Sequence, residues 1–320
     1  MLLAWAASLL AVAGAANPRE VGRSVAITFD DLPAAGAMNP DEDRALTTAD
    51  IRNINTSILA TLRAHRAPAI GFVNERGISA YADAAERRQI LAQWIDAGMD
   101  LGNHTYSHAD FNGLSFEQFR TEVERGEASI APLLRKGGKR LSYFRFPMNH
   151  TGDTAEKRDA AARYLAGRRY QIATCTIDTE DFAFERAFRL MLAKGDTRAA
   201  RALRTEYLQY TATEIDYYAA LHTQLFGRET AHVLILHVNR INAEVLDGVL
   251  KLFEDRGYRF VTLAEAQGDV AFRTADTLVT KFGPMWGYRW ARALGAKIDG
   301  SKESEPPEWI LRYGMESPAR

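Results

Sequence analysis

The chain has 320 residues, of which 47% are hydrophobic and 25% are charged, so it can bury a large core and resembles neither a disordered nor a fibrous protein. Its 40 Lys and Arg residues nearly balance its 41 Asp and Glu residues, and a formal net charge of -1 provides no overall field for holding nucleic acid or an anionic membrane. We therefore expect one large domain or two modest ones, with a neutral or weakly charged partner.

The chain opens with an apolar run of the kind found in export signals. Residues 1–16 are too short a run to cross a bilayer, and Ala13-Gly14-Ala15 offers the small-x-small pattern that a signal peptidase cuts. We predict a signal peptide over 1–16 and a mature protein that is periplasmic or secreted, with no membrane span after signal removal. Because the run has no Lys or Arg, an uncleaved amphiphilic anchor is the alternative.

Short runs of β-branched and apolar residues recur along the rest of the chain, and each is typical of a buried strand. Segments with helical spacing lie between them, such as Ile51, Ile54 and Ile58, and Ser115 with Gln118 predicts a capping box. The alternation predicts an α/β fold with parallel strands, closed or nearly closed into a barrel, and a doubly wound open sheet is the alternative. The predicted strands are 24–29, 69–74, 99–103, 141–146, 170–177, 232–236 and 258–263.

Polar residues that could carry chemistry stand where these predicted strands end. Parallel strands place their C-terminal ends on one face, and that face holds the active site both in barrels and in open α/β sheets. We therefore predict that five separate fragments meet in one cleft. They are Asp30-Asp31, His104 with His108, Arg145-Phe146-Pro147, Asp178 with Asp181, and His237.

The two histidines of the second fragment have the spacing of metal ligands. His104 and His108 are four residues apart, and we predict that a helical turn brings both imidazoles to one divalent ion, with zinc as the expected metal. Two imidazoles and one carboxylate leave positions open for water and substrate, as hydrolytic zinc sites require. We predict Asp31 as the third ligand, which leaves Asp30 to take a proton from water. An exposed turn that caps the next helix is the alternative interpretation of this acidic pair.

Three further side chains are predicted to support the reaction. His237 follows the most apolar strand and is our candidate general acid for protonating a leaving amine. Arg145 can donate several hydrogen bonds to a carboxylate and is predicted to hold Asp30 ionised, with an ordinary surface ion pair as the alternative. His150, shortly after Arg145, is predicted to contact substrate. Cys175 is the only cysteine, which excludes an internal disulfide, and its apolar surroundings indicate a buried hydrophobe.

These residues resemble the motifs of the polysaccharide deacetylases of carbohydrate esterase family 4, which are built on the NodB homology domain. The resemblance covers about residues 24–267, with the motif Thr-Phe-Asp-Asp at 28–31 and the motif His-Ser/Thr-x-x-His at 104–108. It implies a distorted parallel (β/α) barrel of about seven strands. It also implies zinc or a similar ion on Asp31, His104 and His108, with Asp30 as the base.

The other three motifs of the family each differ from the usual pattern at one position. Arg-x-Pro-Tyr stands here as 145–148, so the backbone N–H of Met148 would serve the oxyanion hole in place of the tyrosine. Asp-x-x-Asp-Trp stands as 178–182, which makes Phe182 a smaller apolar wall and Asp181 the group that orients and tunes His237. Leu-x-His stands as 235–237, which places Ile235 beside the acetyl pocket. These differences leave the reaction intact and the glycan specificity open.

The predicted activity is hydrolysis of N-acetyl groups on an amino-sugar polymer or oligomer, either chitin-like or of the peptidoglycan type. One alternative is an O-acetyl esterase acting on acetylated xylan, or another amide hydrolase on the same scaffold. A second is a glycan-binding protein without turnover, which would have no use for the base Asp30 and the acid His237. A third, a two-His-one-carboxylate iron oxygenase, has no further support in the sequence.

Two segments fall outside this pattern of strands and motifs. We predict a catalytic domain over 17–268 with a helical insertion at 185–227, read as a hairpin packed on the barrel, with a lid beside the cleft as the alternative. The extension at 269–320 is dense in Trp, Tyr and Arg and is predicted to cover an apolar flank of the barrel, with stacking on sugar rings as the alternative. The oligomeric state stays open.

Overall fold

The computed structural model describes residues 22–37 and 46–315. The predicted signal peptide, 1–16, lies outside these ranges. Within them, no helix combines the length and the apolar character that crossing a bilayer requires.

A seven-stranded sheet forms the centre of the molecule, and each of its strands falls in a predicted strand run. The first strand is longer than predicted, because it continues through Asp30 and Asp31, whereas the fourth and fifth keep only two residues each. The strands are β1 (Ser24–Leu32), β2 (Ala69–Val73), β3 (Asp100–Asn103), β4 (Tyr143–Phe144), β5 (Gln171–Ile172), β6 (His232–His237) and β7 (Arg259–Val261).

The strands pair in parallel in the order β5-β4-β3-β2-β1-β6, and β7 pairs with the start of β1. The chain that leaves β5 at one edge reaches the other edge, where Ile177 forms a parallel bridge to Leu234 of β6. The sheet therefore curls into a half-barrel that this segment spans. This confirms the predicted distorted parallel barrel.

Helices cover the outside of the sheet, as alternating strands and helices predict. Ser115 caps a helix through the predicted box, because its hydroxyl accepts from the Gln118 N–H while the Gln118 side chain accepts from the Ser115 N–H. The helices are α1 (Thr48–Ala64), α2 (Arg76–Ser79), α3 (Ala84–Asp96), α4 (Phe116–Arg125), α5 (Ile130–Lys136), α6 (Ala155–Gly167), α7 (Asp181–Lys194), α8 (Thr197–Phe226), α9 (Arg240–Asp255), α10 (Leu263–Gln267), α11 (Trp286–Leu294) and α12 (Glu308–Met315).

The main apolar core lies between the sheet and the helices around it. All nine residues of β1 are buried, and Trp94 of α3 packs edge-on against Phe29 with 5.7 Å between ring centroids. The indole N–H of Trp94 donates to Asn55 of α1, so the largest core side chain also has its polar atom satisfied. This packing fixes the position of β1, whose last residues carry the acidic pair.

The predicted insertion is a helical hairpin formed by α7 and α8. Phe184 of α7 packs against Tyr207 and Tyr210 of α8, with ring centroids 4.8 and 5.4 Å apart. In the chain after residue 268, α11 packs on α8 and α12 packs on α7. The insertion and the extension therefore support each other. The boundary between a catalytic domain and an extension at residue 268 stays a prediction.

Candidate active site

The C-terminal ends of the strands open onto a cavity of about 680 Å³. Asp30 and Asp31 from β1, His104 and His108 after β3, and His237 from β6 all line it. Asp30 and His237 are direct neighbours in the register of β1 and β6. The fold thus brings together five residues that are up to two hundred positions apart in the sequence.

Asp31, His104 and His108 place their ligand atoms within 4.8 Å of one another. Oδ1 of Asp31 lies 3.7 Å from Nε2 of His104 and 3.5 Å from Nε2 of His108. This oxygen is buried and has no hydrogen-bond partner within the described ranges. Nδ1 of His104 donates to the Arg145 carbonyl at 2.9 Å, so Nε2 presents its lone pair towards Asp31. Two imidazole nitrogens and an unpartnered carboxylate oxygen are a donor set that suits a divalent cation such as zinc.

The chain between the two histidines is not the helical turn that their spacing predicted. Thr105 and His108 have φ of 71° and 58°, in the left-handed region, and the segment is an irregular loop. Glu122 of α4 holds this loop by accepting from the Ser107 N–H at 2.7 Å and the Ser107 hydroxyl at 2.9 Å. The prediction of a helix face was therefore wrong, although the two rings lie only 5.0 Å apart.

Asp30 contacts Arg145, whose side chain is fully buried. Nη1 of Arg145 donates to Oδ1 of Asp30 at 2.8 Å and to the Thr28 hydroxyl at 2.7 Å. Burial alone would raise the pKa of Asp30, but the charge of Arg145, together with His104 and His237, lowers it below its ordinary value. Asp30 is therefore held as a carboxylate. The arrangement differs from a surface ion pair because both partners are inside the protein.

His237 is oriented by the fully buried carboxylate of Asp181, the first residue of α7. Asp181 accepts from Nδ1 of His237 at 2.7 Å and from its backbone N–H at 2.8 Å, and it also accepts from the side chain of Asn239. Burial lowers the pKa of His237, yet the charge and hydrogen bond of Asp181 outweigh it and raise that pKa to about 10. Nδ1 is thus occupied, and the proton on Nε2 is the one that can be given up.

A sequence model described as polysaccharide deacetylase matches residues 18–166, which include β1 to β4 and the candidate metal ligands. This segment, a little under half of the chain, is therefore similar to polysaccharide deacetylases.

Further comparisons show which known proteins the chain resembles. A chitin deacetylase of Arthroderma benhamiae is 26% identical over 166 residues, which make up 52% of this chain and 37% of that protein. The chain therefore aligns with little more than a third of its curated relative. A CE4-family pseudoenzyme from Bacillus anthracis has a TM-score of 0.51 at 16% identity, covering 77% of this chain and 66% of the other. A mutant of that pseudoenzyme with restored enzymatic activity has the same TM-score at 18% identity, covering 77% and 68%. Identities this low show a shared fold.

The remaining predicted site residues take different places. Ile235, Met148 and Phe182 line the cavity, and the exposed Phe182 ring meets His237 edge-on at 6.4 Å between centroids. Arg145 and Asp181 lie behind the lining residues and touch Asp30 and His237. His150 is absent from the described lining, because its Nδ1 lies 2.8 Å from the Asp110 carboxylate. Its predicted contact with substrate gains no support from this geometry.

Left-handed backbone concentrates around the site. Of the eight non-glycine residues with positive φ in the described ranges, six lie at the cavity or in the segments that carry its residues. A residue in this conformation costs about 1–3 kcal/mol of conformational free energy, so it persists only where the surrounding structure holds it. Such residues cluster at functional sites. The six are Asp31, Thr105, His108, Met148, Asn149 and Glu180.

Several residues that line the cavity were missed by the sequence analysis. Glu180, Glu185, Arg186 and Arg189 line the cavity from the start and body of α7, and Gly283 lines it from the extension. The helical spacing of 182, 185, 186 and 189 was a signal for a shared face, since residues three, four and seven apart lie together on a helix. No pattern in the sequence pointed to Gly283, because it reaches the cavity by contacting Met148, a residue far from it in the sequence.

Burial shifts the pKa values of the acidic residues in this wall. It raises the pKa of Asp178 to about 6 and that of Glu180, which also faces the charge of Asp178, to about 8. It raises the pKa of Glu185 to about 7, although the Ile241 N–H donates to this carboxylate. The wall therefore carries less negative charge near neutral pH than its residue types suggest.

Proposed function

We propose that the protein is a metal-dependent deacetylase that hydrolyses N-acetyl groups on an amino-sugar polymer or oligomer. The observation that carries this proposal is the shared cavity of an ionised Asp30, a protonated His237 and the triad of Asp31, His104 and His108. A base and an acid beside a candidate hydrolytic metal site are what cleavage of an unactivated amide needs. The chitin deacetylase relative supports the choice of an acetylated amino sugar.

The triad fits a divalent cation, and zinc is the proposed ion because the donors are two imidazoles and one carboxylate. A divalent cation held there would polarise the acetyl carbonyl and lower the pKa of water towards about 7. The orphaned Oδ1 of Asp31 supports this role, since a buried carboxylate oxygen without a partner is costly in the absence of a cation.

The protein's own residues would divide the proton transfers between them. Asp30 takes a proton from the attacking water, while Arg145 keeps that carboxylate ionised and oriented. Met148 offers its backbone N–H to the oxygen that gains charge. His237 then gives its Nε2 proton to the leaving nitrogen as the carbon–nitrogen bond breaks. The products are acetate and a free amine, and Asp181 stabilises the imidazolium until the transfer.

Two apolar residues are proposed to shape the substrate contact. Ile235 would face the acetyl methyl group, and the exposed ring of Phe182 would lie against a sugar face. Export to the periplasm or the medium stays a prediction from residues 1–16.

Acetate release from a panel of substrates tests the proposal. We expect acetate from N-acetylglucosamine oligomers or peptidoglycan fragments, its loss after treatment with a chelator, and its return when zinc is added. His104→Ala should lose both the metal and the activity, whereas His65→Ala, which changes a histidine paired with Asp247 and Glu254 on the surface, should keep both. Acetate from acetylated xylan alone would indicate an O-acetyl esterase. Metal binding without acetate from any substrate would indicate a glycan-binding protein.

A further inference from the structure

One wall of the cavity is a single face of α7. Phe182, Glu185, Arg186 and Arg189 line the cavity from this helix, and their spacing of three, four and seven residues places them on one side of it. Phe182 lies beside His237, at the catalytic end of the helix. Arg186 follows about 6 Å further along the helix axis and Arg189 about 10 Å further, at about 1.5 Å per residue.

Both arginine side chains are supported by packing. A Cβ built at Gly314 of α12 would lie 3.5 Å from Cγ of Arg186, so the aliphatic part of this side chain rests on the C-terminal helix. A Cβ built at Gly36 would lie 3.6 Å from Nη1 of Arg189, which places that guanidinium beside the loop after β1. Packing of the stem leaves the charged end available at the cavity.

Neither guanidinium has an ion pair or a hydrogen bond with the residues in 22–37 and 46–315. Arg145, by contrast, donates from Nη1 to both Asp30 and Thr28. Glu185 is the nearest acidic residue on this helix, and burial raises its pKa against the smaller, lowering effect of the Arg189 charge. Its Oε2 accepts from the Ile241 N–H at 2.9 Å, and no ion pair joins it to either guanidinium among the described residues. Of the other acidic residues of the cavity, Asp30 and Asp31 belong to the catalytic centre, and Asp178 and Glu180 precede the helix at its catalytic end.

We propose that Arg186 and Arg189 bind an oxyanion on the glycan substrate, a carboxylate or a phosphate carried about one to two helical turns away from the acetamide that is cleaved. A guanidinium matches both groups because it can donate two parallel hydrogen bonds to them. This inference rests on the proposed deacetylase function and narrows its substrate to an acidic glycan. It differs from the neutral partner expected from the net charge of -1, since that value averages over the whole surface and says nothing of one wall.

The test compares three oligosaccharides of equal length: a chitooligosaccharide, its carboxymethylated form and its phosphorylated form. We expect the wild-type protein, loaded with zinc, to release acetate from at least one acidic substrate with a kcat/KM about tenfold or more above that on the neutral one. Comparing the carboxymethylated and the phosphorylated substrates identifies which oxyanion is preferred. The preference should shrink as salt is raised from about 0.05 to 0.5 M, because salt screens exposed charges.

Variants separate this role from general effects on the fold. In the Arg186→Gln/Arg189→Gln double variant the ratio of acidic to neutral kcat/KM should fall to about one, and Lys at both positions should restore part of it. Arg163→Gln, an exposed arginine on α6 that does not line the cavity, is the matched control and should keep the wild-type ratio. Melting temperatures of all variants check that they fold.

The outcomes distinguish this inference from the proposed function. Acetate release from the neutral oligosaccharide with no preference for either acidic form would overturn the inference alone. A preference that survives in the double variant would also overturn it, since the anion would then bind elsewhere. Absence of acetate from all three substrates would instead count against the proposed deacetylase function.

Discussion

Asp181 contacts His237 through both the ring and the backbone of that residue. Its carboxylate accepts from Nδ1 and from the backbone N–H, and Asn242 of α9 donates to the same carboxylate. Asn239 donates to it as well, so four donors surround this one buried charge. The pKa of Asp181 is lowered because the His237 charge and these hydrogen bonds outweigh the effect of burial. Asp181 is therefore ionised at neutral pH, where His237 is protonated.

Asp181→Asn should move the alkaline limb of the pH–rate profile to lower pH. The acid works only while His237 is protonated, and the pKa of His237 is raised to about 10 chiefly because Asp181 opposes the effect of burial. Removing that charge lowers the pKa, so the proton is lost at a lower pH and the rate falls there. The measurement is kcat/KM against pH, which reports the free enzyme. Asp216→Asn, at a surface pair with Arg256, is the control, and an unmoved limb in Asp181→Asn would remove Asp181 from the mechanism.

Asp30→Asn should abolish most turnover while the metal content stays near one ion per chain. The expected loss is roughly 10² to 10⁴ in kcat, the usual contribution of a positioned base. Asp31→Asn is the informative comparison, because the orphaned Oδ1 of Asp31 is the proposed ligand atom and its loss should lower the metal content. Metal analysis and acetate release on the same samples check both. Loss of the metal from Asp30→Asn would show that Asp30 is a ligand.

The sequence predicted most of the central residues of this site because strand ends meet on one face. It could not predict the backbone that carries them. The spacing of His104 and His108 suggested a helix, whereas the segment is a loop in which the side chains of Thr105 and Glu122 accept from backbone N–H groups. Such a loop depends on a contact with α4, which periodicity within the segment does not reveal.

Among the elements, the C-terminal extension contributes directly to the cavity. Arg289 of α11 is fully buried and donates from Nη2 to the Asn149 carbonyl at 2.7 Å and from Nη1 to the Thr151 hydroxyl at 3.0 Å. Gly283 packs against the turn Pro147–Asn149, and a Cβ added to Gly283 would lie only 1.8 Å from the Met148 carbonyl oxygen. The extension thus holds the turn that carries the proposed oxyanion N–H. The role predicted for the extension, covering an apolar flank of the barrel, therefore accounts for only part of its contacts.

Gly283→Ala should lower kcat by more than it changes KM. The new methyl group collides with backbone, which cannot move aside as a flexible side chain can, so the turn at Met148 must shift. A shift of the oxyanion N–H affects the transition state more than the bound substrate. Steady-state kinetics give the two constants, and the melting temperature reports the structural cost.

Gly167→Ala is the control for this variant, because nothing lies within 4 Å of a Cβ built there. It should leave both constants unchanged. If Gly283→Ala lowers the melting temperature but keeps the wild-type kcat, the extension supports the fold without positioning the turn.

In the molecule as a whole, strand β6 has a histidine at each end, and the two lie in different environments. His237 at its C-terminal end is protonated beside Asp181, whereas His232 at its N-terminal end is buried beside His222 of α8, with ring centroids 4.6 Å apart. Nε2 of both His222 and His232 is buried without a hydrogen-bond partner among the described residues. Periodicity in the sequence could not show that α8 would bring His222 and His232 together.

His222→Gln should make the stability of the protein less sensitive to acid. Burial lowers the pKa of His222 to about 4, despite the nearby charge of Asp269, and His232, which also faces Arg23, is shifted in the same direction. Between pH about 6.5 and about 4 the unfolded chain therefore binds a proton at residue 222 that the folded protein does not, so the free energy of unfolding falls as the pH falls. The full effect is about 3 kcal/mol for this shift. Gln can still bond to the Thr230 hydroxyl, which lies 2.7 Å from Nδ1 in the native protein, but it does not titrate.

Urea unfolding at a series of pH values measures this dependence, and the variant should show a slope smaller by about one proton across that range. His65→Gln is a control of opposite sign. Burial lowers the pKa of His65, but Glu254 and Asp247 outweigh it and raise the pKa, so His65 adds stability below its unfolded pKa that is lost as the pH rises. Its removal should lower the stability by a constant amount below pH about 6.5, leave the slope between about 6.5 and about 4 unchanged, and alter the slope only at higher pH. Equal slopes in the wild type and His222→Gln would mean that His222 is protonated in the folded protein, and its burial beside His232 would then need a compensating anion.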